Sequence, residues 1–223
     1  MPVEHIIIDG ASSDNTLAIV REISPHSHIV SELDNGIYDA MNKGILIATG
    51  DIIGILNADD FYADQQVIET VINAFADPEV DACYSDLVYV DQEKTDRIVR
   101  YWKSCPYRSG LFEKGWVPPH PTFFVRRKVY ERLGLFDLDY QIAADFELMA
   151  RFIDRHKVKT NYLPQVTVNM RLGGTTNKSI RNIIKQNLEI IRALKKNKLR
   201  ISPLIPAYKL LDKFSQYFKN PKS

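Results

Sequence analysis

A chain of 223 residues, 45% hydrophobic and 26% charged, can bury a sizeable core and has the composition of an ordinary folded domain rather than a disordered or fibrous one. Its net charge of +1 conceals an asymmetry: from Arg192 to Ser223 nine Lys and Arg stand against Asp212 alone, a local +8 that leaves −7 on residues 1–191. Basic charge confined to one end argues against nucleic acid as a partner. Cys83 and Cys105 form neither a CxxC pair nor a disulfide framework, so a reducing cytosol is the default compartment. No apolar run approaches the roughly 20 residues of a membrane span. The start, "MPVEHIII", lacks the positive charge that precedes the apolar run of a signal peptide.

In chain order, "EHIII" (4–8) predicts a buried strand followed by turn chemistry in "DGASSDNT". Asp14 is placed to cap a helix running to about Ile23 and stopped before Pro25. "HIVS" (28–31) is a short strand, "GIYDAMNKGILIATG" a helix ending at Gly50, and "DIIGIL" (51–56) a second buried strand. Asp64 can cap the next helix, with Val67, Ile68, Val71, Ile72 and Phe75 on one face and Pro78 at its end. "DACYSDLVYVD" (81–91) and "RIVRYW" (97–102) follow as strands. A long loop over 104–127 carries Pro118 and Pro119 into His120, and a helix over 143–153 has Asp145 near its start. Two short strands flank Pro164, and "RLGGTTN" (171–177) is a turn. The next helix sets Ile180, Ile183, Ile184, Leu188, Ile191 and Leu194 on one stripe; Pro203 and Pro206 separate it from a last segment, "AYKLLDKFSQYF".

Strands separated by helices imply a parallel α/β sheet, which binds ligands at the carboxyl ends of its strands. Asp9 ends the first strand, Asp34 lies just beyond the second, and Asn57, Asp59 and Asp60 end the third, so all converge on one edge. Each alone reads equally as a turn residue or helix cap; three caps converging on one edge favour a site.

The ordered set "HIIIDGASSDNT", "SELDNGIYDAMNKGILIATGDIIGILNADD", "HPTFFVRR" and "AADFEL" resembles family 2 glycosyltransferases of the bacterial polysaccharide and O-antigen type, over about residues 3–175. The block from Ser31 to Asp60 is its most specific part. The resemblance implies a GT-A fold, an α/β architecture with a mostly parallel sheet, over 1–175, with residues 176–223 as a C-terminal amphipathic helical extension. It implies a nucleotide-sugar donor, a glycan or lipid-linked acceptor, a divalent cation (Mn2+ or Mg2+) and inversion at the anomeric carbon, at the cytoplasmic face of the cell's membrane.

By the same resemblance Asp9 contacts the nucleotide base, Asp34 and Asn42 line that half of the pocket, and "NADD" stands at the metal-binding motif. Asp59 falls on the metal-ligating aspartate and Asp60 beside it on the donor side. Hard divalent cations are commonly held by one or two carboxylates plus substrate phosphates. Asn57 departs from the pattern, standing where many relatives have the first Asp, which leaves the site with less protein charge. Asp145 matches the catalytic base, the alternative being a helix N-cap. Glu147 reads as a surface or structural partner. His120 matches a position near donor or acceptor, or else packs within its loop; Arg171 reaches the pyrophosphate, or else ends a strand at the surface.

Relatives place a strand, a Thr/Ser-rich turn and a helix before the equivalent of "EHIIIDGAS". A sheet built without that strand is expected to expose apolar surface around Ile6–Ile8 and Ile52–Leu56. Two rivals follow: a catalytically silent scaffold, and a dinucleotide-dependent oxidoreductase, which the absence of GxGxxG after the first strand makes weak. The basic, apolar segment 200–223 is expected either to lie on an anionic membrane or to pack back on the domain.

Overall fold

β1 (Ile6–Asp9) and β2 (His28–Ser31) pair in parallel across α1 (Thr16–Ile23), the strand-helix-strand unit the sequence predicts. Asp14 receives the Thr16 N–H at 2.9 Å where α1 begins. These elements belong to a computed structural model that describes residues 3–173 and 180–217. Among them β1 pairs with β2 alone, and the two form a separate small sheet. Ile6, Ile7 and Ile8 are consequently half-buried rather than fully buried as predicted, and α1 buries no side chain, leaving Ile19 and Ile23 exposed. A strand paired and covered on one side only has nowhere else to hide its apolar residues.

The main sheet has the order β3-β7-β5-β8-β4, with β6 paired to the other end of β5. Its strands are β3 (Ile52–Ile53), β4 (Phe61–Tyr62), β5 (Ala82–Val90), β6 (Ile98–Trp102), β7 (Phe124–Arg126) and β8 (Thr160–Arg171). The sheet is mixed, not mostly parallel: among the described residues β5–β8 is its parallel pair and its other pairings are antiparallel. The cause is the connections. β6 returns directly from β5 as a hairpin, and the long loop before β7 lets that strand enter between β3 and β5 in the reverse sense without a crossover helix. The two short strands expected around Pro164 are one strand. Leu163 stands opposite Ser85 and Val166 opposite Asp86, so Pro164, which has no N–H to give, and Gln165 form a bulge.

α2 (Ile37–Ile47) buries Met41, Asn42 and Ile45; α3 (Val67–Ala74) buries Val67, Val71 and Ala74 against Cys83 and Phe124. A helix the sequence did not announce, α4 (Arg127–Leu133), follows β7. α5 (Ala144–Met149) continues as a π-helical turn over Ala150–Arg155. At the heart of β5, Asp86 is fully buried and accepts hydrogen bonds from the hydroxyls of Tyr101 and Tyr162 and from the Ser104 N–H.

α6 (Ile180–Lys196) buries only the C-terminal end of the predicted stripe, at Leu194. Ile190, Ala193 and Leu194 enter the core with Glu189 and Asn197, while Ile183, Ile184 and Leu188 are exposed. Polar anchors decide this: Asn197 donates to buried Glu147, which also pairs with Arg151 at 3.1 Å, and Glu189 binds the chain ahead of α5. α7 (Ile205–Ser215) docks through Ile205 and Lys209 against Gly115, where a Cβ would lie 3.0 Å from Ile205 Cγ2, and the Tyr101 N–H donates to Gln216 O just beyond it. Its outer face leaves Leu210, Leu211 and Phe214 more than 60% exposed. Among the described residues no helix is long and apolar enough to cross a membrane.

Candidate active site

Two groups of polar side chains stand at the ends of these strands. In the first, Asp9 closes β1 and is buried. It accepts Ser12 Oγ–H at 2.5 Å, Ser31 Oγ–H at 2.6 Å and the Ser12 N–H at 3.0 Å. These donors, the Ser12 hydroxyl foremost, hold its carboxyl below the usual carboxylate range. The turn that lets Ser12 fold back passes through Ala11 at φ 61°, a left-handed conformation costly for a residue with a Cβ. Asp34 accepts the Gly36 N–H at 2.9 Å and leans on Gly10, where a Cβ would sit 2.7 Å from Asp34 Oδ2. The absence of a Cβ at Gly10 leaves room for that carboxylate beside the turn that follows Asp9. Asn42 is buried on α2, its amide shared with Phe136: Nδ2 donates to Phe136 O and Oδ1 accepts the Phe136 N–H, both at 2.9 Å.

The second group begins where the chain leaves β3. Gly54 packs under Phe124, whose ring a Cβ would meet at 2.2 Å, and the chain then turns at Asn57 into Asp59 and Asp60. Asp59 is exposed and Asp60 buried. Asp60 Oδ2 accepts the Asn57 amide at 3.1 Å, while its Oδ1 is buried without a hydrogen-bond partner. Burial pushes the Asp60 carboxyl up to about 6, with the Asn57 amide and the Arg171 backbone N–H opposing and the neighbouring Asp59 charge adding to the rise. Asn57, read from the sequence as a lost ligand, thus serves as the donor that fixes Asp60.

A buried carboxylate oxygen with no donor is costly, of order 1–3 kcal/mol or more, and a cation would relieve it. Among the described residues no three His, Cys, Asp or Glu side chains form a cage for a metal. Asp59 and Asp60 therefore fit a hard cation that keeps most of its coordination for phosphate and water. Arg171 belongs to the same corner. Its backbone N–H lies beside Asp60, its guanidinium lies over Phe61 at 5.6 Å and donates to Gln92 O at 3.3 Å, and its buried Nε has no acceptor.

Asp145 occupies the first turn of α5, one residue beyond its start, and the N-cap position belongs to Ala143. Its Oδ1 accepts the Phe146 N–H at 2.8 Å and the Tyr38 hydroxyl at 3.4 Å, the latter donating chiefly to Ile142 O at 2.9 Å. His120, edge-on to Phe136, is pushed by burial below the usual imidazole range against the opposing charge of Asp145, which leaves the ring neutral. The charges of both Asp60 and Asp145 reach Tyr89 and, with burial foremost, raise its hydroxyl above the usual range.

Glu189 was not foreseen. From α6 it accepts three successive N–H groups, of Gln141 at 3.2 Å and of Ile142 and Ala143 at 2.9 Å, and so fixes the turn that aims Asp145. Nothing in the sequence marks it, because its partners lie more than 45 residues away. Glu189→Gln keeps the size but sets an amide N–H against those donors. It is expected to lower kcat about 10-fold with KM for the donor little changed, and to leave the pH profile of kcat displaced; an unchanged kcat in a stably folded variant would reduce Glu189 to a structural tie.

The fold places the chain first. A mannosyltransferase from Pyrobaculum calidifontis in complex with GDP-Man and Mn2+ superposes with a TM-score of 0.60, at 21% identity, covering 94% of this chain and 59% of that one. Staphylococcus aureus TarS 1–349 in complex with UDP-GlcNAc superposes with a TM-score of 0.65, at 13% identity, covering 95% and 64%. The architecture is therefore the GT-A glycosyltransferase fold. The sequence then fixes the family: the profile described as Glycosyl transferase family 2 matches residues 1–134, and the chain belongs to that family. A glycosyltransferase of Mycobacterium tuberculosis is 32% identical over 151 residues, 67% of this chain and 56% of that one. A PGL/p-HBAD biosynthesis glycosyltransferase of Mycobacterium bovis is 29% identical over 179 residues, 78% and 68%. The chain thus spans little more than half the length of the first of these relatives.

Proposed function

We propose that this chain carries the donor site and catalytic base of an inverting glycosyltransferase, moving a sugar from a nucleotide donor to a glycan or lipid-linked acceptor. The observation that supports this most is the buried Oδ1 of Asp60, which has no hydrogen-bond partner, just beyond the end of β3. The solved relatives named above hold GDP-Man with Mn2+ or UDP-GlcNAc, which supports the donor class. In this reading Asp9, kept ionised by its serine donors, and Asp34 receive N–H or O–H groups of the nucleoside, while Asn42 holds the floor of that half. Asp59 and Asp60 would hold Mn2+ or Mg2+, which neutralises charge on the departing nucleoside diphosphate. Arg171 lies beside them on the phosphate side. Neutral His120 lines the space near the sugar without adding charge.

Asp145 takes the acceptor hydroxyl's proton as that oxygen attacks the anomeric carbon from the face opposite the leaving diphosphate. Glu189 and Tyr38 hold Asp145 in line. The exposed Leu210, Leu211 and Phe214, within the basic C-terminal segment, suit contact with an anionic lipid surface, where a lipid-linked acceptor would be met. One transfer assay in anionic vesicles with Mn2+ tests the whole reading. It should release nucleoside diphosphate, give a product of inverted anomeric configuration by NMR, and sediment the protein with vesicles only when residues 200–223 are present. A retained configuration would overturn the role of Asp145, and sedimentation without the segment would overturn the membrane contact.

A further inference from the structure

Ile184 and Leu188 stand one turn apart on α6, 55% and 61% exposed, and half-buried Ile191 continues their line. They are not the core side of the helix, which Ile190, Ala193 and Leu194 fill. Helical spacing sets Lys185, Arg192 and Lys195 along the same outer face, the last two exposed. Lys185, Leu188 and Arg192 line one groove of about 250 Å³ with Asp139, Gln141 and Glu189. Of the two carboxylates there, Glu189 is buried and turned inward to the N–H groups of Gln141, Ile142 and Ala143. Asp139 meets Arg192 Nη2 at 3.0 Å in an exposed pair, and Lys185 donates to the neutral Gln141 Oε1. Exposed pairs of that kind exchange partners at little cost. The face is thus an apolar stripe bordered by three cations and one exposed carboxylate.

The charge decides what can cover it. A second copy of the chain fits poorly, because a two-fold contact turns the face on itself and sets cation against cation. An anionic lipid surface offers phosphates at the level of the cations and an apolar layer beneath them. Lipid is favoured over an acidic polypeptide because α7 also turns Leu210, Leu211 and Phe214 outward. The two helices touch where Lys209 donates to Gln186 at 3.0 Å and to Asn187 at 3.2 Å. An extended surface can take both.

We propose that the outer face of α6 seats on anionic lipid, with Ile184 and Leu188 entering the apolar layer and Lys185, Arg192 and Lys195 meeting headgroup phosphates. This contact is separate from that of residues 200–223 and acts together with it. The inner face of the same helix holds, through Glu189, the turn ahead of Asp145, so one helix ties the lipid surface to the site. That tie rests on the role given to Asp145; the seat itself does not.

The full chain is sedimented with vesicles of equal parts phosphatidylglycerol and phosphatidylcholine, and with phosphatidylcholine alone. It should bind the mixed vesicles at least about 10-fold more tightly than the neutral ones. Ile184→Gln combined with Leu188→Gln should weaken binding to the mixed vesicles about 10-fold or more, with 200–223 intact. Lys185→Gln combined with Lys195→Gln should do the same at low salt, the difference shrinking at high salt. All four positions lie on the outer face, and near-UV circular dichroism checks the fold of each variant. A parent that does not sediment overturns the seat, and so does binding of poly-glutamate in place of vesicles. A lipid-free dimer dispersed by the Ile184 and Leu188 changes would give the face to a second copy and overturn it as well. Variants that sediment as the parent does overturn the seat and leave 200–223 as the membrane contact. Loss in both variants with no effect of removing 200–223 upholds the seat and overturns that other contact. Vesicle binding through α6 in a chain that neither binds donor nor turns it over would uphold the seat while the glycosyltransferase reading failed.

Discussion

Asp145→Asn is expected to bind nucleotide sugar as the parent does and to turn it over at least about 10²-fold more slowly, the usual range for loss of a general base. The substitution is close to isosteric. Its amide oxygen can still accept the Phe146 N–H and the Tyr38 hydroxyl, so the local frame should survive. What it cannot do is take a proton at neutral pH. Glu147, two residues on, cannot stand in: it is fully buried and engaged with Arg151 and Asn197. Single-turnover kinetics at saturating donor isolate the step, and a rate near that of the parent would remove Asp145 from the chemistry.

The second large effect concerns the metal corner. Asp59→Ala and Asp60→Asn should each weaken Mn2+-dependent donor binding on the order of 10²-fold, since even residues supporting a metal ligand typically cost 10- to 100-fold when replaced. The two should differ in stability without metal. Asp59 is exposed, so its loss should leave the melting temperature nearly unmoved. The Asp60 carboxyl is raised by burial to about 6, from about 4 in the unfolded chain. A raised acid favours the fold below its unfolded value, and that contribution is lost as pH rises through about 6. At pH 8 the metal-free Asp60→Asn protein should therefore melt higher than the parent, and the difference should vanish near pH 4. A carboxylate kept for a ligand at the expense of stability behaves this way; one that holds the fold together would do the reverse.

Local rules found the parts of this molecule whose partners are near in sequence. The β1–α1–β2 unit, α3 with its buried Val67 and Val71, and the β5–β6 pair follow from periodicity, turn residues and caps. So does the placing of Asp9 and Asp34 at strand ends. Asp60 entered the candidate site through the convergence of strand ends, whereas Asp145 entered it only through the ordered set of motifs, because taken alone it is an ordinary cap residue. What escaped was made by long-range packing. The antiparallel entry of β7 depends on where a long loop returns, and α4 is too short for its periodicity to stand out. The buried face of α6 follows from Glu189 and Asn197 rather than from its isoleucines, since satisfying buried amides and a buried carboxylate outweighs covering Ile183, Ile184 and Leu188. The hydrogen bond from the Tyr101 N–H to Gln216 O exists only because the chain beyond α7 folds back over β6.

The most direct test of a metal-dependent donor site is calorimetric titration of UDP- and GDP-linked sugars into the parent chain, with Mn2+ and again with EDTA. The account predicts saturable binding of one nucleotide class that disappears with EDTA and is weakened on the order of 10²-fold by Asp60→Asn. Binding of equal affinity in EDTA, or no binding of either class with Mn2+, would contradict it.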